Sequence, residues 1–166
     1  ILQPFQFCNL SEVVVRESDK EEDLLDKVEA ATILGTMQAT LTNFKYLRRQ
    51  WKDTTEKERL LGVSLTGIMD HKILSGNIYN KAVLTELLLK LKDKAVAVNK
   101  TWSKRFGINQ ATAITCVKPS GTVSQLVNAA SGIHARHNDY YIRRVRGDKK
   151  DPLTQFLQTQ KMSGLV

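Results

Sequence analysis

Cysteine is scarce in this sequence, with only Cys8 and Cys116 in 166 residues. Two thiols cannot staple a small fold, so a disulfide scaffold is excluded and either residue can persist as a free thiol in a reducing compartment. Proline numbers three, and no Pro-, Gly- or Ser-rich stretch interrupts the chain, which argues against disorder or a low-complexity linker. No apolar run approaches the length that spans a bilayer, and Ile1 does not open a basic leader followed by an apolar stretch. The expectation is a cytoplasmic protein that is not held in a membrane. Histidine also numbers three. His134 and His137 stand three apart without an evident third ligand, so no metal site is expected.

What the chain does contain is globular material. The composition is 42% hydrophobic and 25% charged, and the length suits one domain with a real core, taken as residues 1–166. The formal net charge of +8 favours anionic partners without saying which. Six cations, Arg136, Arg143, Arg144, Arg146, Lys149 and Lys150, crowd into one short stretch. That stretch reads equally as a solvated face or as a polyanion contact, which keeps a basic nucleic-acid or polyanion-binding module open as the alternative function.

The apolar pattern predicts alternating strands and long helices. The opening ILQPFQFCNLSEVVV is extended in character and places Cys8 at or beside a buried strand. Ser18 and Asp19 offer caps, and the acidic run Glu21, Glu22 and Asp23 suits a helix N-terminus. Helical spacing then continues from Leu24 through Leu41, Phe44 and Leu47 to Arg48 and Arg49. A polar turn around Asp53 and Thr54 precedes a short buried strand in LLGVSLTGIMDH. A second long helix is expected from about Asn80 to Phe106, closed by Gly107. TAITCVK reads as a strand, KPSGT as a turn and SQLVNAA as a short helix. YYIRRVR reads as a further strand, and Asp151 with Pro152 starts a last helix through Gln160. Strands separated by long helices indicate an α/β fold with parallel pairing.

Two features carry chemistry. Lys118, Pro119, Ser120, Gly121, Thr122, Val123 and Ser124 form a turn entering a helix, where outward backbone N–H groups and hydroxyls can hold a phosphate. The same residue types also make an ordinary turn, and the Gly-Lys-Ser/Thr ending of a Walker A loop is missing. The second feature is Cys8. A cysteine on an apolar strand is more often a small core residue than a reactive group, and Cys116 is read as core on the same ground.

Four segments, FCNLSEVVVR, ILGTMQATLTNF, ERLLGVSLTGIMD and VKPSGTVSQLVNAASGIHARHNDYYIRRVR, resemble ribonucleotide reductase large chains over nearly the whole sequence. The closest resemblance is to the adenosylcobalamin-dependent class II enzymes. It implies a partial catalytic barrel domain, part of a ten-stranded α/β barrel on the C-terminal side of the finger loop. It implies that Cys8 is one of a reducing pair that closes to a disulfide as the ribose loses its 2′-hydroxyl, with a partner far upstream that has no counterpart here. It implies that Pro119, Ser120, Gly121, Thr122, Val123 and Ser124 grip the substrate's phosphates. The implied partners are a ribonucleoside triphosphate or diphosphate, adenosylcobalamin, and a thioredoxin-like reductant. A complementary segment or chain carrying the radical cysteine is also implied. The finger loop of the Asn-Pro-Cys-Gly-Glu kind would lie just before Ile1, so the expectation is a fragment without turnover alone. Tyr140 and Tyr141 are similar to radical-relay tyrosine pairs of other reductase classes only in type, not in position, and read as packing residues. Glu12 reads as solvated or paired, with a barrel carboxylate near Cys8 as the other option.

Overall fold

The computed structural model describes residues 4–76, 80–142 and 144–160. They form two compact units, one over residues 1–136 and one over residues 137–166. The first unit is mixed α/β. Strand β1 (Asn9–Val14) leads into helix α1 (Glu21–Gln38), a second helix α2 (Arg49–Glu58), strand β2 (Leu61–Thr66) and the long helix α3 (Lys81–Phe106). The two strands pair in parallel, with Asn9 opposite Leu61 and Val14 opposite Thr66. Parallel strands need a crossover, and α1 with α2 supplies it. On the other side of β2 the segment around Thr115 adds an isolated parallel bridge to Val63. Leu61 N and Val63 N donate to Ala113 and Ile114, and Cys116 N donates to Val63 O at 3.0 Å. β2 therefore lies between two neighbours.

Alternation along the strands sorts the two faces. Val13, Val15, Leu61 and Val63 are buried with Leu24, Val28 and Ala31 of α1 and Leu87, Leu91 and Ala95 of α3. Ser11 points the same way, its Oγ lying 3.4 Å from where a Cβ on Gly35 of α1 would stand. Cys8, Leu10 and Glu12 point away from the helices, and Leu10 is exposed there. The helices run side by side in the same direction, joined by Lys90–Glu21 at 2.9 Å, by Lys94–Glu29, and by the buried hydrogen bond from Asn99 Nδ2 to Thr36 Oγ1 at 3.0 Å. Asn99 Oδ1 also accepts from Ala111 N at 3.0 Å, which ties the chain after α3 back onto its helix.

α3 begins and ends where its caps place it. Asn80 Oδ1 accepts from Ala82 N and Val83 N, and Gly107 takes the left-handed conformation at φ 66°. α1 stops at Gln38, well short of the expected Leu47. Thr40 Oγ1 donates back to Met37 O, Thr42 Oγ1 donates to Glu56 at 2.7 Å, and Arg59 Nη1 caps the helix end by donating to Ala39 O. Threonines bonded in this way favour turns over helix continuation. The expected polar turn at Asp53 and Thr54 is helix α2, supported by Arg49–Asp53 and Lys52–Glu56 pairs one turn apart. The expected strand TAITCVK is reduced to the bridge at Thr115. KPSGT enters a single-turn helix α4 (Thr122–Leu126).

In the second unit, Asp151 accepts from Leu153 N and Pro152 opens helix α5 (Pro152–Thr159), as the sequence predicts. The expected strand YYIRRVR is not one. Residues 140–142 and 144–146 are irregular and exposed, with Arg143 outside the described residues, because a strand requires a neighbour for its ladder and none is present among the described residues of this unit. No helix among the described residues is long and apolar enough to cross a membrane.

Candidate functional site

Cys8 lies immediately before β1 and is half-buried. Glu12 stands four residues on along the same face. Its carboxylate accepts a hydrogen bond from Ser120 Oγ at 3.1 Å. One face of β1 thus carries the thiol near its start and touches the 119–124 loop farther along. Within that loop Ser120 and Ser124 are buried, whereas Pro119, Gly121, Thr122 and Val123 are exposed. Ser124 Oγ donates to Ser120 O at 3.0 Å and Gly121 O at 2.7 Å, and Ser131 Oγ also donates to Ser120 O. Ser124 spends its hydroxyl proton on the loop's own carbonyls, and Ser120 spends its on Glu12. The outward surface is Thr122 with the first N–H groups of α4, which have no carbonyl within the helix to bond.

Behind the loop, Gly132 (φ 55°) lets the chain pass against it, since a Cβ there would stand 2.8 Å from Lys118 O. Arg16, just past β1, donates to Val127 O at 2.6 Å and Asn128 O at 2.9 Å. Arg136 makes a two-pronged contact with Asp70, Nε to Oδ1 at 2.9 Å and Nη2 to Oδ2 at 3.2 Å, and Asp70 Oδ2 also accepts from Ala130 N at 2.7 Å. Burial works to raise the Asp70 carboxyl, but hydrogen bonds from Arg136 and Ala130 N, with the charges of Arg136 and Arg16, outweigh it and hold the group below the usual carboxylate range. A carboxyl held down in the fold contributes stability that is complete above its unfolded value, near ~3.9, and that is lost as pH falls through the lower folded value. Asp70→Asn is therefore expected to lower stability at pH 7 by about 1–2 kcal/mol. It is also expected to flatten the acid limb of a plot of melting temperature against pH. An unchanged acid limb would show that the anchor is immaterial.

One residue was not legible as a site component. Cys116, read as core, is only half-buried, and its sulfur lies beside that of Cys8. The gap where a Gly62 side chain would begin is 2.9 Å from Cys8 Sγ and 3.2 Å from Cys116 Sγ. Lys118 acts on both thiols. Burial raises each above the ordinary thiol value, the neighbouring Cys116 raises Cys8 further, and the Lys118 ammonium pulls both down in part. Glu12 is paired, as one reading of it expected, but with the loop rather than with a cation. Its spacing from Cys8 was the available signal. His71 and His134 direct ring nitrogens at backbone groups. His71 Nε2 lies 3.0 Å from Asp19 O, and His134 Nδ1 lies 3.2 Å from Ser131 O. His137 packs edge-on against Tyr141.

No family model matches the chain, and no solved structure matches it. Its relatives among curated proteins are consistent in kind. It is 28% identical over 173 residues to the adenosylcobalamin-dependent ribonucleoside-triphosphate reductase of Lactobacillus acidophilus and 26% identical over 173 residues to that of Lactobacillus leichmannii. In each case the match takes in 91% of this chain and 23% of the relative. It is 30% identical over 162 residues to a probable adenosylcobalamin-dependent ribonucleoside-triphosphate reductase of Dictyostelium discoideum, covering 92% of this chain and 19% of that protein. The chain thus spans about a quarter or less of the length of the curated relatives it matches. Over nine-tenths of its own length the chain is similar to adenosylcobalamin-dependent ribonucleoside-triphosphate reductases.

Proposed function

We propose that this chain supplies part of a ribonucleotide reductase site, as a partial catalytic barrel domain over residues 1–166 in which β1 and β2 are two of the barrel strands. Cys8 provides reducing equivalents at the ribose. The loop Pro119, Ser120, Gly121, Thr122, Val123 and Ser124 holds the phosphates of a ribonucleoside triphosphate. The observation that carries this reading is the Glu12–Ser120 hydrogen bond, because it ties the loop to the same strand face that bears Cys8 and so gives both ends of one nucleotide a common surface. Ser120 and Ser124 preorganise the loop, and its outward amides and the Thr122 hydroxyl meet the anion. The raised thiol value keeps Cys8 protonated at neutral pH, so it carries hydrogen as well as electrons.

Adenosylcobalamin, on which the relatives depend by name, would supply radical chemistry when bound. A complementary reductase segment or chain completes the site. That segment also carries the radical cysteine, and a thioredoxin-like protein regenerates the thiols. The setting is cytoplasmic, and the chain alone has no turnover.

Gly121→Ala and Thr122→Val test the phosphate loop. A Cβ on Gly121 meets nothing within 4 Å, so the fold is unaffected while a ligand's approach to the loop is obstructed. Each variant is expected to weaken binding of a ribonucleoside triphosphate about tenfold or more, as loss of one charge-assisted hydrogen bond implies. The competing polyanion module would use Arg144, Arg146, Lys149 and Lys150, since Arg136 is engaged by Asp70. It predicts affinity that falls steeply with salt, is indifferent to both loop variants, and accepts nucleic acid regardless of ribose. That pattern would overturn the reductase reading.

A further inference from the structure

The function proposed above gives the start of the phosphate loop a task and leaves the far end of its helix without one. Helix α4 is five residues long and has no side-chain cap at its start, and a helix this short does not hold itself together in water. Its C-terminal end is gripped from outside. Arg16, just past β1, donates from Nη2 to Val127 O at 2.6 Å and from Nη1 to Asn128 O at 2.9 Å. One planar guanidinium thus takes both carbonyls where the chain leaves the helix, and its charge sits at the negative end of the helix dipole. Asn128 needs such holding, since it adopts the left-handed conformation at φ 50°. Arg136 adds bonds to Asn128 O at 3.0 Å and Asn128 Oδ1 at 3.1 Å, but Arg136 follows the loop in the chain, whereas Arg16 belongs to the strand.

Arg16 and Glu12 stand four residues apart on extended chain, because Val15 N continues the ladder by donating to Thr66 O at 2.8 Å. Four residues of strand span about 13 Å, and alternate residues share a face. Glu12 holds Ser120 at the start of the loop, at 3.1 Å, and Arg16 holds the end of the helix. Residues 120–128 are therefore splinted along β1, on the strand face that begins with Cys8. We propose that Arg16 is a positioning residue of this site: its two hydrogen bonds fix α4 along β1 and so set how the loop presents a phosphate group to the face bearing Cys8. This role rests on the phosphate function proposed above for residues 119–124. Arg16 makes no contact with the nucleotide. Loss of its grip weakens anion binding because only a fraction of the molecules then keeps the loop in its binding geometry.

The test compares the unaltered chain with Arg16→Ala and Arg16→Lys, by titration with ATP and with adenosine and by hydrogen exchange of the backbone amides. Arg16→Ala is expected to weaken ATP binding about fivefold or more, as the competent fraction falls, and to leave adenosine binding unchanged. The amides of residues 123–129 should exchange faster while those of α1 and α3 do not, which shows that the fold is kept. Arg16→Lys retains the charge without the planar fork and should recover only part of the affinity, and it carries the comparison if the alanine variant does not fold. The loss should persist at raised salt, where a long-range effect of charge is screened. Equal ATP affinity in every variant, a loss that vanishes at raised salt, or an equal fall for ATP and adenosine would overturn the proposal. The two failures are distinguishable. If the unaltered chain prefers ATP to adenosine and Arg16→Ala matches it, Arg16 alone is removed from the site. If the unaltered chain shows no such preference while exchange is still faster in Arg16→Ala, the phosphate reading falls, and the positioning role falls with it.

Discussion

Replacing Cys8 by serine, in a mixture with an upstream reductase segment that carries the radical cysteine, is expected to abolish deoxyribonucleotide formation while leaving nucleotide binding intact. Serine is close to cysteine in size, and the side chain is only half-buried, so the fold tolerates the exchange. What serine lacks is redox capacity, since a hydroxyl cannot surrender electrons by closing to a disulfide. The phosphate loop, in contact with Glu12 rather than with Cys8, is untouched. The measurement is chromatographic quantification of product from the mixture, alongside a binding titration. Turnover that survives Cys8→Ser would remove this sulfur from the mechanism, and absence of turnover with an authentic upstream partner would leave no support for the catalytic assignment.

The second large effect is structural. Gly67 ends β2 at φ 80°, and its N–H donates to Ala130 O at 2.8 Å. A Cβ there would stand 2.5 Å from the Val15 carbonyl oxygen and 3.4 Å from Ala129 Cβ. The contact cannot relax cheaply, because Val15 N is itself bonded to Thr66 O at 2.8 Å and the obstructing atom is backbone. Gly67→Ala therefore combines a left-handed conformation, costing about 1–2 kcal/mol for an L side chain, with displacement of the strand end. The sum is about 3 kcal/mol. At this chain length that corresponds to a melting temperature lower by about 6–12 °C. Gly76→Ala is the control, since Gly76 has φ 77° but an added Cβ meets nothing within 4 Å, so only the conformational part should appear. Equal losses at the two positions would show that the clash at Gly67 is relieved elsewhere.

Elements whose ends are fixed locally were legible in the sequence. Asn80 and Gly107 bound α3, Asp151 and Pro152 start α5, and the apolar run between Gly62 and Gly67 is β2. What failed was decided at a distance. α1 ends early because Arg59, twenty residues on, takes the Ala39 carbonyl and Thr42 bonds Glu56. α2 buries only Thr55, so no apolar stripe announced it. In the site, the turn chemistry of residues 119–124 was readable, as was the position of Cys8 beside a strand. The meeting of Cys8 with Cys116 was not, because it depends on three backbone segments and on the absence of a side chain at position 62, which no local spacing encodes.

The parallel pairing of β1 with β2 also dictates how the molecule assembles itself. Asn9 reaches Leu60 across 51 positions, and Leu61 must then wait for Ala113 on its other side. No hairpin can nucleate such a sheet, and each closure restricts a long loop before any contact compensates for it. The helices rest on local contacts, whereas the gap shared by the two sulfurs exists only when three segments distant in the chain are in place together.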